Sequence, residues 1–197
     1  SYPLDELFSV IATQNPLELA GTYPLPTAQL DRFLFKIKME FIDRDSEIEV
    51  LNSEAERAEP LGAKVPRINR GSIVEIRRML SKEIYVNPKI NECLVDIARA
   101  QRDHPDVALG VSIRCLVLMT PSLRAAALLK GRDYVTEEDI SWLAPHVFSH
   151  RLSLEMGQRE PEPINADGLK KPQEQLSRST LKRRPYRPHT LSEYWHW

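Results

Sequence analysis

Three polar side chains stand where chemistry on a phosphate could be done. Asn15 closes the run Val10-Ile-Ala-Thr-Gln-Asn15-Pro16, an apolar segment that stops at a polar amide. Arg32 follows Asp31 at the entrance to a second apolar run, Leu34-Phe-Lys-Ile-Lys-Met-Glu-Phe41. Arg114 ends the motif Gly110-Val-Ser-Ile-Arg114. An amide at a strand tip can hydrogen-bond a water or a terminal phosphate oxygen without adding charge, and so orient an attacking water. An arginine nearby can reach across a subunit boundary and stabilise charge developing on a transferring phosphoryl group. A cation in the first turn of a helix is disfavoured by the helix dipole unless an anion docks there, held by both. Each residue also has a plainer reading. Asn-Pro starts ordinary turns, Asp31 and Arg32 could form a structural pair at a sheet edge, and Arg114 could be an exposed or surface-paired arginine.

The elements that must position these residues fall into three parts. Residues 1–58 carry two strand-like runs and a helix. Phe8 to Thr13 is short and almost wholly apolar, as in a central strand covered on both faces. In Leu34–Phe41, Phe35, Ile37, Met39 and Phe41 share one face and Lys36, Lys38 and Glu40 the other. Ser46-Glu-Ile-Glu49 reads as a capping box and predicts a helix to about Arg57. Pro60 and Pro66 mark a junction.

Residues 59–152 read as all-helical. Ser72-Ile-Val-Glu75 is a second capping box, with Ile73, Ile76, Met79 and Leu80 inward. Asn87-Pro88 supplies an N-cap and an N1 proline, with Ile90, Leu94, Ile97 and Ala98 inward. A long helix from about Val111 to Leu129, with Ser112 as its N-cap, ends at Lys130-Gly131. Pro121 inside it predicts a kink or split. Thr136-Glu-Glu-Asp139 caps a last helix, kinked or broken near Pro145. Four short helices make a small bundle. Residues 153–197 are rich in Pro and basic residues. From Lys170 onward there are seven Lys and Arg against two Glu, and the chain ends Tyr194-Trp-His-Trp197. This part reads as a mobile tail, or else as a docking segment with aromatic anchors.

Composition narrows the class. The chain has 197 residues, 42% hydrophobic and 28% charged, with a net charge of −1. That near-neutral balance gives no electrostatic reason for a nucleic-acid or membrane partner. Cys93 and Cys115 stand apart from any metal-ligand or redox spacing and read as buried reduced thiols. No run reaches the length of a membrane span and no signal peptide opens the chain, so the reading is cytoplasmic.

Taken in order, Ala12-Thr-Gln-Asn-Pro16, Gly21-Thr-Tyr-Pro-Leu-Pro26, Ala28-Gln-Leu-Asp-Arg-Phe33, Gly110-Val-Ser-Ile-Arg114, Gly131-Arg-Asp-Tyr-Val-Thr136 and Ser149-His-Arg-Leu152 closely resemble the MoxR family of AAA+ ATPases. The resemblance covers about 1–152. It implies an α/β fragment of a AAA+ core followed by an all-α helical lid bundle, mostly helical overall. It also implies roles by position: Asn15 as sensor 1, Arg32 as the arginine finger acting in trans, and Arg114 as the sensor 2 arginine that meets the ATP γ-phosphate. Where the family has a proline before that last arginine, this chain has Ile113.

The phosphate loop G-x-x-x-x-G-K-[ST] does not occur; Gly62-Ala-Lys64 lacks the rest of it. Tyr2-Pro-Leu-Asp5-Glu6 mimics a magnesium-binding strand end, but Pro3 spoils the strand. ATP and Mg2+ are therefore expected of a full-length protein, with this chain alone inactive and belonging to the C-terminal part of a longer one. The resemblance implies a homo-oligomeric, hexameric ring that remodels or activates clients, often with von Willebrand factor A-domain partners and metal-cofactor insertion. A second reading is a non-catalytic interaction module using the lid and the basic aromatic tail. A third is a DNA motor, against which the near-neutral charge argues.

Overall fold

Helix starts in this chain are set by the first competent capping side chain. A computed structural model describes residues 2–14, 26–53, 67–155 and 162–178. After a single turn, α1 (Thr27–Leu30), comes α2 (Arg44–Asn52), capped by Asp43, whose carboxylate accepts from the amides of Asp45 and Ser46 at 3.1 and 3.0 Å. Next, α3 (Arg70–Glu83) is capped by Asn69, which accepts from the Gly71 amide at 2.7 Å. In both helices the expected caps, Ser46 and Ser72, lie inside the first turn instead. Asp43 and Asn69 precede them by three residues in extended backbone, and starting there adds hydrogen bonds to the helix. On α3 Val74 is buried and Ile76, Met79 and Leu80 are half-buried, while Ile73, expected inward, is exposed.

The remaining helices begin where the sequence places them. α4 (Pro88–Arg102) is capped by Asn87 and buries Ile90, Leu94, Ile97 and Ala98. α5 (Ile113–Leu129) is capped by Ser112, whose hydroxyl accepts from the Cys115 amide at 3.3 Å. It ends in a Schellman turn: Gly131 at φ 69° lets its own amide donate to Leu128 and the Arg132 amide to Ala127. α6 (Glu137–Phe148) opens with the Thr136–Asp139 capping box and passes into a 3-10 turn, Ser149–Arg151.

The two prolines do not split their helices. Pro121 costs only the donor to the carbonyl of Val117, a residue on the solvent side, while Met119 and Leu123 anchor the opposite face in the core. Flanking hydroxyls of Thr120 and Ser122 bond back to the carbonyls of Leu116 and Leu118. Likewise α6 continues through Pro145, whose carbonyl accepts from Ser149.

Around these four helices the described residues hold one small antiparallel sheet, β1 (Val107–Leu109), in the region read as all-helical, paired with β2 (Ser153–Leu154) just beyond it. α7 (Glu162–Arg178) then packs across α4 and α6. This corrects the expectation of a mobile tail over those residues. The stripe of α7 that faces the bundle is Ile164, Gly168, Leu169, Pro172 and Leu176, so glycine and proline disguise a helical period. Gly168 lets α7 approach closely, since a Cβ would stand 3.1 Å from the buried Gln101 side chain, which would have to give by a few tenths of an ångström. The aromatic end of the chain, and the Pro60 and Pro66 junction, lie outside the described residues.

Neither predicted strand of the first part is paired among the described residues. Ile11 is 92% exposed, Met39 87% and Phe41 99%. Alternation specifies which face of a strand is apolar, but pairing needs a neighbouring edge, and no described segment offers one. The described molecule is thus mostly helical, a bundle core with an extended segment docked beside it.

Candidate functional site

The segment that carries Arg32 is fastened to the end of the bundle chiefly by one side chain, that of Arg151. Arg151 closes the 3-10 turn after α6 and its side chain is 1% exposed. A guanidinium has five N–H donors. Here Nε donates to Asp31 Oδ1 at 2.8 Å, Nη2 to the carbonyls of Asp31 and Phe33 at 3.1 and 2.6 Å, and Nη1 to those of Leu34, at 3.1 Å, and Val147. Every donor direction is used, so the buried cation is fully paired, which is the condition for tolerating it. His150 adds a sixth contact, its Nε2 lying 2.9 Å from the Phe33 carbonyl. That carbonyl can only accept, so Nε2 carries the proton and Nδ1 is the bare nitrogen, buried with no hydrogen-bond partner among the described residues. Burial lowers the His150 pKa, with Arg151 and Lys36 acting the same way; the Phe33 carbonyl and Asp31 oppose the shift. The imidazole is neutral at neutral pH. One strand-like bond, the Lys36 amide to the His146 carbonyl at 2.9 Å, extends the attachment.

In this arrangement Asp31 does not pair with Arg32. Asp31 is committed to Arg151, and Arg32 takes part in no ion pair among the described residues. Arg32 is exposed and lines an open hollow with Val10, Ala28, Gln29, Phe33 and Leu34.

Arg114 is likewise exposed in the first turn of α5, with no ion pair among the described residues. It is not one of the residues lining that hollow. Its helix start is held by the loop before it. A Cβ on Gly110 would stand 2.5 Å from Arg102 Cγ and 3.0 Å from Arg102 Cα, so only glycine lets the loop pass the end of α4. Arg102 Nε then donates to the Val111 carbonyl at 2.8 Å. The neighbouring residue, Cys115, is buried with its thiol 4.0 Å from the Val147 carbonyl, the same carbonyl Arg151 uses. Burial pushes this thiol up to about 11, and Cys93 likewise, so both are inert and free.

Asp139 organises the far end of α5 and α6. It is fully buried and accepts from Arg132 Nη1 and Nη2 at 3.0 and 2.6 Å, Lys130 Nζ at 3.1 Å and the Thr136 amide at 3.0 Å. Burial acts to raise its pKa, but these bonds outweigh it and hold the carboxyl below the ordinary carboxylate range. The acidic pair Asp5-Glu6 is spent on surface contacts, Asp5 with Arg70 at 2.6 Å and Glu6 with Arg78 at 3.3 Å.

Asn15 lies outside the described residues. Among the described residues no cluster of His, Cys, Asp and Glu could hold a metal ion, and no helix is long and apolar enough to cross a membrane. Sequence reasoning quoted Ser149-His-Arg-Leu152 without giving it a task, and missed Arg151 and His150 as the residues that hold Arg32's segment. A buried arginine is invisible in a one-dimensional pattern, where it reads as surface charge.

Comparison with known proteins follows the same division. Residues 1–35 match the family described as ATPase family associated with various cellular activities (AAA), and 99–175 match the AAA lid domain. Three relatives are YeaC of Bacillus subtilis, an uncharacterised protein 41% identical over 77% of this chain and 47% of its own length; Chaperone MoxR1 of Mycobacterium tuberculosis, 31% over 78% and 42%; and Protein MoxR of Methylorubrum extorquens, 31% over 74% and 48%. A crystal structure from Cytophaga hutchinsonii, assigned as an ATPase, superposes with a TM-score of 0.77 at 30% identity, covering 86% of this chain and 55% of that one. The chain belongs to the MoxR family of AAA+ ATPases. It spans about half the length of the curated MoxR-family relatives it matches. The lid match reaches residue 175 and so takes in most of α7.

Proposed function

We propose that this chain supplies the sensing and trans-acting half of an ATP-hydrolysing site in a MoxR-type AAA+ ring that remodels client proteins. The observation that carries the reading is the division of labour in Asp31-Arg32: Asp31 is bound by Arg151, while Arg32 is left exposed and unpaired among the described residues. A structural arginine would have used the adjacent carboxylate. An exposed guanidinium on a fastened segment is placed to meet an anion from outside the subunit.

The donor chemistry fits phosphate and does not fit a metal. Arg32 and Arg114 are cations able to hold phosphate oxygens, and no described cluster could ligate Mg2+. ATP, bound with Mg2+ by a portion of a full-length protein, supplies the phosphoryl group. Asn15 orients the attacking water, Arg32 stabilises equatorial charge on a neighbour's nucleotide, and Arg114 meets the γ-phosphate from the lid. The homo-oligomeric ring, hexameric by the family's pattern, follows from a finger that acts in trans. Client maturation, including a von Willebrand factor A-domain partner or metal-cofactor insertion, is the family-level expectation for such a motor.

Two substitutions in a full-length protein test the reading. Arg32→Ala removes hydrolysis by roughly a thousandfold or more while sparing nucleotide binding, the scale expected of an arginine finger. Mixing it with a subunit that lacks the phosphate loop restores part of the activity; no recovery in mixed rings sinks the trans assignment. Asn15→Ala slows turnover with ATP affinity little changed, and a large loss of affinity contradicts the water-positioning role.

A further inference from the structure

A guanidinium that acts across a subunit boundary must be held in place by its own subunit. Residues 31–37 form no strand and bury no side chain fully, with Phe33 and Leu34 half-buried, Phe35 41% exposed and Ile37 68%. Without other contacts such a segment opens readily. Its contacts with the bundle run through residues 146–151: Arg151 to Asp31, Phe33 and Leu34, His150 to Phe33, and the His146 carbonyl to Lys36.

We propose that Arg151 is a positioning residue for Arg32, its fully bonded guanidinium fixing the backbone on both sides of the finger so that the Arg32 side chain projects outward from an ordered turn. The acceptors bracket residue 32 in sequence, two on Asp31 and one each on Phe33 and Leu34. Backbone carbonyls specify position without regard to their own side chains, so the grip leaves Arg32 itself untouched. The fifth bond, to Val147, anchors the same guanidinium to α6. The Cys115 thiol faces that carbonyl too, so the first turn of α5, which bears Arg114, abuts the same node. Arg32 and Arg114 are thereby mounted on segments that meet at one junction, although Arg114 does not line the hollow beside Arg32. A lysine could not replace this residue. It offers three donors from a single nitrogen, whereas the acceptors here are arrayed around a planar fork.

The proposal rests on the finger reading for its catalytic consequence and on geometry alone for its structural one, and its test separates the two. Amide hydrogen exchange on this chain reports the grip through the Phe33 and Lys36 amides, with Ile97 and Leu123 reporting the bundle core. Arg151→Met raises exchange at Phe33 and Lys36 by about tenfold or more, as expected for a freed local segment, with the core amides unchanged. Arg151→Lys recovers only part of the protection, and Asp31→Asn, which keeps the shape and loses the charge, falls between. In a full-length protein, Arg151→Met lowers kcat by about a hundredfold with KM for ATP little altered, the penalty of a catalytic group displaced by an ångström. The double variant Arg32→Ala with Arg151→Met is no slower than Arg32→Ala alone. Unchanged exchange at Phe33 and Lys36 in both Arg151→Met and Asp31→Asn overturns the positioning role. So does full rescue by lysine, loss of core protection in step with the segment, or multiplicative slowing in the double variant. If Arg32→Ala hydrolyses ATP at the parent rate, the finger reading falls while the exchange results alone still decide the grip.

Discussion

A carboxylate and an imidazole, both buried, set how this fold responds to acid. Asp139 is ionised in the fold and held below its ordinary value by Arg132, Thr136 and Lys130 against the opposing effect of burial. Its contribution to stability is therefore complete above its unfolded pKa and is lost as pH falls through the lower folded value. His150 is buried neutral with its pKa depressed. Its unfolded form takes up a proton first, so stability begins to fall as pH drops below about 6.5, the ordinary value for histidine, and continues falling toward the folded value. Urea midpoints measured against pH should be level at pH 7–8, decline first below about 6.5 and again below about 4. His150→Asn should flatten the first decline and leave the second. Asp139→Ala should cost about 2–4 kcal/mol by chemical denaturation, since it leaves two cations without their acceptor and removes a helix cap. The partial exposure of Lys130 and Arg132 keeps that cost from the top of the range for a broken buried pair.

At the scale of elements, two glycines and one unexpected helix shape the lid. Gly131 occupies the left-handed region at the end of α5. Gly131→Ala should destabilise by about 1 kcal/mol, the cost of a Cβ in that conformation, with no effect on the core. Gly110→Ala should cost more than Gly131→Ala, because its Cβ meets the Cα of Arg102 as well as the flexible side chain. The helix α7 completes the bundle with Leu169 and Leu176 against α4 and α6. Leu169→Ala should lower stability by about 2–4 kcal/mol in thermal or urea unfolding, as for other buried leucines. A residue in a mobile tail would change stability by no more than about 0.5 kcal/mol, so this single variant discriminates the two pictures. The caps at Asn87, Ser112 and Thr136 were legible because each precedes an unbroken apolar period. Those at Asp43 and Asn69 were not, because a later Ser with a Glu three residues on offered the same signal. α7 escaped because Gly168 and Pro172 occupy its buried face, where periodicity rules look for aliphatic side chains.

For the molecule as a whole, the apolar faces at Phe35, Ile37, Met39 and Phe41 stand open beside a well-packed bundle. Phe41→Glu in this chain should change unfolding free energy by no more than about 0.5 kcal/mol, as for any exposed site. In a full-length MoxR-family protein the same change should be far more damaging if those residues are covered there, and comparing the two melting curves measures that difference.

The order of short motifs was enough to fix the family and to nominate Asn15, Arg32 and Arg114 as candidates, because a motif is a matter of residue type and spacing along the chain. Hydrophobic period and capping residues likewise settled most of the bundle, since they act within a few residues along the chain. What Asp31 does was a different matter. Its neighbour Arg32 and the distant Arg151 were equally able to pair with it, and only tertiary structure brought Arg151 across 120 positions to claim the carboxylate. The same approach buried His150 as a neutral group and gathered Lys130 and Arg132 on Asp139. Pairing between charged groups depends on distance and dielectric, and both are properties of the folded chain.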